Sequence, residues 1–95
     1  MIMAATDLQF SKNSDNRYEA SFVSEGAVTI QMKRKSIGFI NIYANLDGME
    51  KKYIGGYGDY NGGANVIFTV DVSPGVTVTI ESAAEVLSAK MLANG

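Results

Sequence analysis

Apolar and polar positions alternate one by one along most of the chain, and each alternating run ends in residues that favour turns. That is the pattern of β-strands with one buried face. Leu8 and Phe10 alternate in a short first strand, closed by the polar run from Ser11 to Asn16. In the next strand Tyr18, Ala20 and Phe22 point one way and Arg17, Glu19 and Ser21 the other, with Glu25-Gly26 as punctuation. Val28, Ile30 and Met32 form the apolar side of a third strand, with Thr29, Gln31 and Lys33 outward and Lys33-Arg34-Lys35-Ser36 as its solvated end.

From Ile37 to Leu46 the pattern changes. Ile40, Ile42, Ala44 and Leu46 share one side, while Phe39 and Tyr43 lie with Asn41 and Asn45 on the other. A strand with large side chains on both faces reads as central, and something besides the sandwich core has to cover its second face. A neighbouring subunit is a candidate. Asp47-Gly48 supplies turn chemistry, because both residues tolerate positive φ. A short edge strand is expected over Lys51 to Ile54.

The run Gly55-Gly-Tyr-Gly-Asp-Tyr-Asn-Gly-Gly63 holds five of the ten glycines and predicts the longest loop. Val66, Phe68, Val70 and Val72 then alternate with Ile67, Thr69 and Asp71. Ser73-Pro74-Gly75 is a strong turn signal, and Val76, Val78 and Ile80, with Thr77, Thr79 and Glu81 outward, read as the hairpin partner. The tail from Ser82 to Leu92 has two readings. Ser82-Ala-Ala-Glu85 matches a capping box before helix-favouring residues, or it is a turn before a last strand, Val86 to Leu92. The open edge left by antiparallel hairpins favours the strand. The expected fold is therefore all-β, an antiparallel sandwich of seven to eight strands, jelly-roll or immunoglobulin-like, with a short C-terminal helix as the alternative to the last strand.

Composition narrows the function classes. The chain has 95 residues, the size of one domain, with residues 1–5 read as a flexible arm or as a strand exchanged with a neighbour. It begins with Met and ends at Gly95, which reads as a whole short gene product. It contains no Cys, His or Trp. Thiol chemistry, zinc-thiolate sites and the commonest general base near neutral pH are thereby removed. Eight Lys plus Arg against ten Asp plus Glu give a net charge of −2, so no global field favours nucleic acid. The amino terminus has no basic n-region or useful apolar h-region, and no apolar stretch approaches the ~20 residues of a membrane span. A cytoplasmic protein with neither nucleic-acid nor membrane partners is expected.

Candidate chemistry is sparse. Asp47 with Glu50 and Asp59 with Asp71 are the carboxylate pairs worth weighing, but each member is better explained by turn, loop or outward strand position. No catalytic residue is assigned. The glycine run lacks the Gly-Lys-Ser/Thr ending and following helix of a phosphate cradle. Asp59, Asn61 and Asn65 are oxygen donors without calcium-loop spacing, so neither metal nor cofactor is expected. Lys33-Arg34-Lys35, with Lys51-Lys52, is read as a solvated strand end whose charges discourage edge pairing. Tyr53, Tyr57 and Tyr60 are different: tyrosine offers a large amphipathic contact area at low entropic cost. With Asp59, and with Phe39 and Tyr43 of the doubly apolar strand, they form the expected interaction surface.

The runs Gly26-Ala-Val-Thr-Ile-Gln-Met-Lys-Arg-Lys35, Ile42-Tyr-Ala-Asn-Leu-Asp-Gly48 and Phe68-Thr-Val-Asp-Val-Ser-Pro-Gly-Val-Thr-Val-Thr-Ile-Glu-Ser82 resemble small β-sandwich proteins of tailed-phage virions. These are auxiliary capsid (decoration) and fibre-associated proteins. The resemblance implies a non-enzymatic virion component, assembled in the host cytoplasm, that self-associates as a homo-oligomer or sits on a capsid lattice. It carries over no functional residue. The alternative reading is a carbohydrate-binding module stacking sugars on Tyr53, Tyr57 and Tyr60, against which the missing Trp counts.

Overall fold

The computed structural model describes residues 5–45, 52–57 and 64–93. Among them the chain forms nine strands and no helix: β1 (Ala5–Asp7), β2 (Ser11–Lys12), β3 (Tyr18–Val23), β4 (Val28–Arg34), β5 (Ile40–Asn45), β6 (Lys52–Tyr57), β7 (Asn65–Val70), β8 (Thr77–Ser82) and β9 (Val86–Ala93). They make two antiparallel sheets, one of four strands in the order β1-β9-β4-β7 and one of five in the order β2-β3-β8-β5-β6. The expected all-β sandwich is what the chain forms, with more strands than the alternation predicted.

The predicted inward positions meet between the sheets. Val28, Ile30 and Met32 of β4 and Val66, Phe68 and Val70 of β7 close over Ala20, Ile40, Ile42, Val78 and Ile80 of the other sheet. Ile30, Met32, Ile40, Val78 and Ile80 have no measurable exposure. Each such side chain contributes about 1.5–3 kcal/mol relative to leaving it in water.

Five expectations are corrected by the structure. The first strand is not Leu8 to Phe10. β1 pairs with β9, and Leu8 continues that ladder by donating its N–H to the Ala89 carbonyl at 3.0 Å before the chain crosses to β2 in the other sheet. Leu8 is buried at the crossing. The edge strand near Lys51 runs on through Gly55, Gly56 and Tyr57, which pair with Ile42, Asn41 and Ile40. These three residues were expected in the loop. The glycines are tolerated because pairing with β5 supplies the order they lack.

Ser73-Pro74-Gly75 does not close a hairpin. β7 pairs with β4, and β8 pairs with β3 and β5, so the turn carries the chain from one sheet to the other. It is anchored instead to the β3–β4 connection, where Gly75 N–H meets the Ser24 carbonyl at 2.7 Å and Ser24 N–H meets the Val76 carbonyl at 2.8 Å. Gly75 has φ +88°, a backbone conformation that strains a residue bearing a Cβ. Arg34, expected at a solvated strand end, is buried: its Nη1 donates to the Gly38 carbonyl at 2.7 Å and the Ser82 hydroxyl at 3.5 Å. Lys33 and Lys35 on either side remain exposed. Lastly, Glu81, expected outward in solvent, is 4% exposed.

The tail is a strand. β9 is paired on both sides, with β1 and with β4, and that two-sided ladder overrides the helical propensity of its Ala, Leu, Lys and Met residues. Ser82 does not cap a helix; its hydroxyl donates to the Ala84 carbonyl at 2.8 Å within the turn. Asp47, Glu50, Lys51, Asp59, Tyr60 and Asn61 lie outside the described residues.

Candidate binding face

β8 is the middle strand of the five-stranded sheet, and its outward positions are Thr77, Thr79 and Glu81. The register sets their neighbours. Glu81 lies between Glu19 of β3 and Asn41 of β5, and Thr79 between Ser21 and Tyr43. One step further, Tyr43 stands opposite Tyr53 of β6 and Asn41 opposite Gly56. An outer sheet face is thus built from polar side chains on one side and tyrosines on the other.

The loop between β2 and β3 folds onto this face. Asn13 Oδ1 accepts from the N–H groups of Asp15 at 2.9 Å and Arg17 at 3.1 Å, and Asn16 takes the left-handed conformation with φ +63°. Asparagine suits both roles, as its short side chain imitates a turn and tolerates that conformation. The loop then delivers two donors to Glu81: Arg17 Nη1 to Oε1 at 3.1 Å and Asn13 Nδ2 to Oε2 at 3.2 Å. Asn41 Nδ2 at 3.3 Å and the Tyr43 hydroxyl at 3.4 Å also donate to Oε1. Asn13 Nδ2 reaches Glu19 Oε2 as well, at 3.4 Å.

Burial by itself raises the pKa of the Glu81 carboxyl. The donors from Asn41, Arg17 and Asn13, with the Arg17 charge, outweigh it and hold the group below its usual range. The same environment pushes the Tyr43 phenol up, first by burial and then by the Glu81 charge. Glu81 is therefore held as an anion by the donors that converge on it.

The aromatic half of the face is ordered by the same parts. The Arg17 guanidinium lies over the Phe39 ring, 4.8 Å from its centroid. Tyr43 and Tyr53 meet edge to face at 5.9 Å and 73°. Tyr53 is 57% exposed, whereas Phe39 and Tyr43 are half-buried. Part of the cover over the second face of β5 therefore comes from within the chain. Gly56 has a local reason to be glycine, since a Cβ there would lie 2.6 Å from the Ile40 carbonyl and 2.7 Å from the Tyr53 hydroxyl. Gly56→Ala is expected to displace the Tyr53 ring and cost about 1–3 kcal/mol. Near-UV circular dichroism and urea unfolding measure the two effects, and an unchanged tyrosine spectrum would refute the close approach.

Of the residues singled out from the sequence, the structure brings Phe39, Tyr43 and Tyr53 onto one sheet face. Tyr57 ends β6 opposite Ile40, and Asp59 and Tyr60 lie outside the described residues. The sequence reading missed Asn13, Arg17, Asn41 and Glu81 as a set. The available signal was a row of outward polar positions on consecutive strands, but only the strand order puts them side by side. Among the described residues no group of three acidic side chains is arranged to hold a metal ion.

No protein-family model matches the chain, and no curated protein matches it. Among solved structures, an exo-beta-1,3-galactanase from Phanerochaete chrysosporium, in complex with beta-1,3-galactotriose, is similar at TM-score 0.35 and 13% sequence identity. That likeness covers 94% of this chain and 26% of the galactanase chain, so the chain spans about a quarter of that protein, and at this TM-score it carries no argument about function.

Proposed function

We propose that the chain is a non-enzymatic structural and interaction protein, a virion component of the capsid-decoration or fibre-associated kind that self-assembles or binds a protein lattice. Its contact surface is the outer face of the five-stranded sheet. The observation that carries this reading is the exposed Tyr53 ring standing on half-buried Tyr43, beside a Glu81 carboxylate that already accepts from four side chains. A surface whose side chains are fixed before contact loses little entropy on binding, and large aromatic anchors dominate the energetics of protein interfaces.

Tyr53→Ala tests it. Sedimentation velocity over a micromolar concentration series is expected to give assembly for the unaltered chain and at least tenfold weaker assembly for the variant, the loss typical of a central aromatic anchor. A strict monomer that also binds no purified capsid lattice would sink the reading. A second reading, a carbohydrate-binding module, is supported by the exposed Tyr53 ring on the sheet face that also carries Asn41 of the neighbouring strand, an aromatic surface beside a polar group. A glycan array separates the two: a specific signal lost in Tyr53→Ala supports the sugar reading, and an empty array for the unaltered chain removes it.

A further inference from the structure

Among the described residues the two sheets end in four edge strands, and three of them are unsuited to pairing with another chain. β1 has three residues and carries Asp7, and β2 has two residues and carries Lys12. β6 starts at Lys52, is interrupted by a register shift opposite Ile42 and Tyr43, and contains Gly55 and Gly56. Short length, charge and bulges are the devices by which sheets avoid edge-to-edge association. β7 has none of them. Its sequence, Asn65-Val-Ile-Phe-Thr-Val70, is six residues long with no charge, glycine, proline or register shift. Ile67 in its middle is 70% exposed, the highest value among the large hydrophobic side chains described.

The direction of its backbone groups follows from the register. Arg34 N–H donates to the Ala64 carbonyl at 2.9 Å, continuing the alignment in which Lys33 faces Asn65 and Met32 faces Val66. Because hydrogen-bonded and non-bonded pairs alternate along an antiparallel ladder, Ala64, Val66, Phe68 and Val70 direct their backbone groups to β4. Asn65, Ile67 and Thr69 direct theirs to the open edge.

We propose that β7 is a self-pairing edge, joining two copies of this chain antiparallel about a two-fold axis at Ile67, so that the two four-stranded sheets become one. In that register Ile67 faces its own copy, Asn65 faces Thr69, and Val66 faces Phe68. Like faces meet on both sides: polar and Ile67 positions outside, core positions inside. All three outward-directed residues form bonded pairs, giving about six new backbone hydrogen bonds. Registers that pair an odd-numbered with an even-numbered residue would set core side chains against solvent and are excluded. An isologous contact of this kind needs only that one strand be self-complementary. The inference deepens the self-assembly part of the proposed function and rests on it, while using a different surface from Tyr53.

The test combines a charge swap with amide exchange. Ile67→Lys and Ile67→Glu, each alone, set like charges opposite one another at the axis and are expected to weaken association about tenfold. Mixed together, the two variants are expected to recover it, which a folding defect would not allow. By NMR hydrogen exchange, the amides of Asn65, Ile67 and Thr69 are expected to become protected as concentration rises, with those of Val66, Phe68 and Val70 protected throughout. If Ile67→Lys assembles like the unaltered chain while Tyr53→Ala does not, β7 pairing is wrong and the tyrosine-face reading stands. If association persists in Tyr53→Ala with the alternating protection intact, the edge stands and the tyrosine face is wrong. A chain that stays monomeric overturns the β7 pairing, and one that also binds no capsid lattice overturns the tyrosine face as well.

Discussion

Ile80→Ala is expected to destabilise the protein by about 3–4 kcal/mol, the cost of a cavity in a core that cannot collapse around it. Ile80 has no measurable exposure, sits on the middle strand of the five-stranded sheet and lies between Ala20 and Ile42 in the register. Both flanking strands carry the outer face on their reverse side, so the backbone there cannot move inward without breaking two ladders. For a domain of this size the loss corresponds to a fall in Tm on the order of 15–25 °C. Urea unfolding reads it as a lower midpoint with an unchanged slope. A loss below about 1 kcal/mol would mean that the sheets repack freely around β8.

Glu81, the next residue, tests the opposite face of the same strand. Glu81→Gln keeps the shape but puts an amide N–H₂ where donors converge from Asn13, Arg17, Asn41 and Tyr43. A buried donor left without an acceptor costs about 1–3 kcal/mol. A value near 2 is expected at pH 7, since the Arg17 side chain is 40% exposed and water can replace part of its pairing. The pH dependence has a definite sign. A carboxyl whose folded pKa lies below its unfolded value, about 4.3, contributes stability that is complete above that value and lost as pH falls through the folded one. Thermal melts from pH 7 to pH 2 are therefore expected to lose stability most steeply below about pH 4.3, and Glu81→Gln to flatten the descent. An identical acid profile in the variant would show that the carboxylate is not held by its donors. Tyr43 acts at the other end of the scale. Its raised pKa means that stability is complete below the ordinary phenol range, near 10, and declines as pH rises through the folded value.

The outer face of β8 also supports the tyrosine platform through Glu81. Tyr43 is fixed by Glu81 on one side and by Tyr53 on the other, and Phe39 by Arg17, whose loop is held down by the same carboxylate. Loss of Glu81 is thus expected to loosen the contact face as well as the fold, while Tyr53→Ala alters contact with little change in stability.

The alternation of residues by itself determined that the chain is all-β, which side chains of β3, β4, β5, β7 and β8 enter the core, and that Phe39, just before β5, and Tyr43 share the side away from it. Period-two patterning encodes that much because each strand presents two faces and burial selects one of them. The open edge left by the antiparallel hairpins favoured a strand for the tail, and the outcome was decided by β9 having partners on both sides. Strand partnership is another matter, since backbone hydrogen bonds are alike whichever strand supplies them. The Ser73-Pro74-Gly75 turn therefore read as a hairpin, whereas it is the crossing between the sheets. The same limit hid Arg34, whose burial depends on the Gly38 carbonyl and Ser82 coming to meet it, and Glu81, whose burial depends on a loop 64 residues away in the chain. Only the tertiary structure could put a lid on the outward face of β8, because a polar residue at an outward position is compatible both with water and with a ring of donors, and the choice lies in residues distant in sequence.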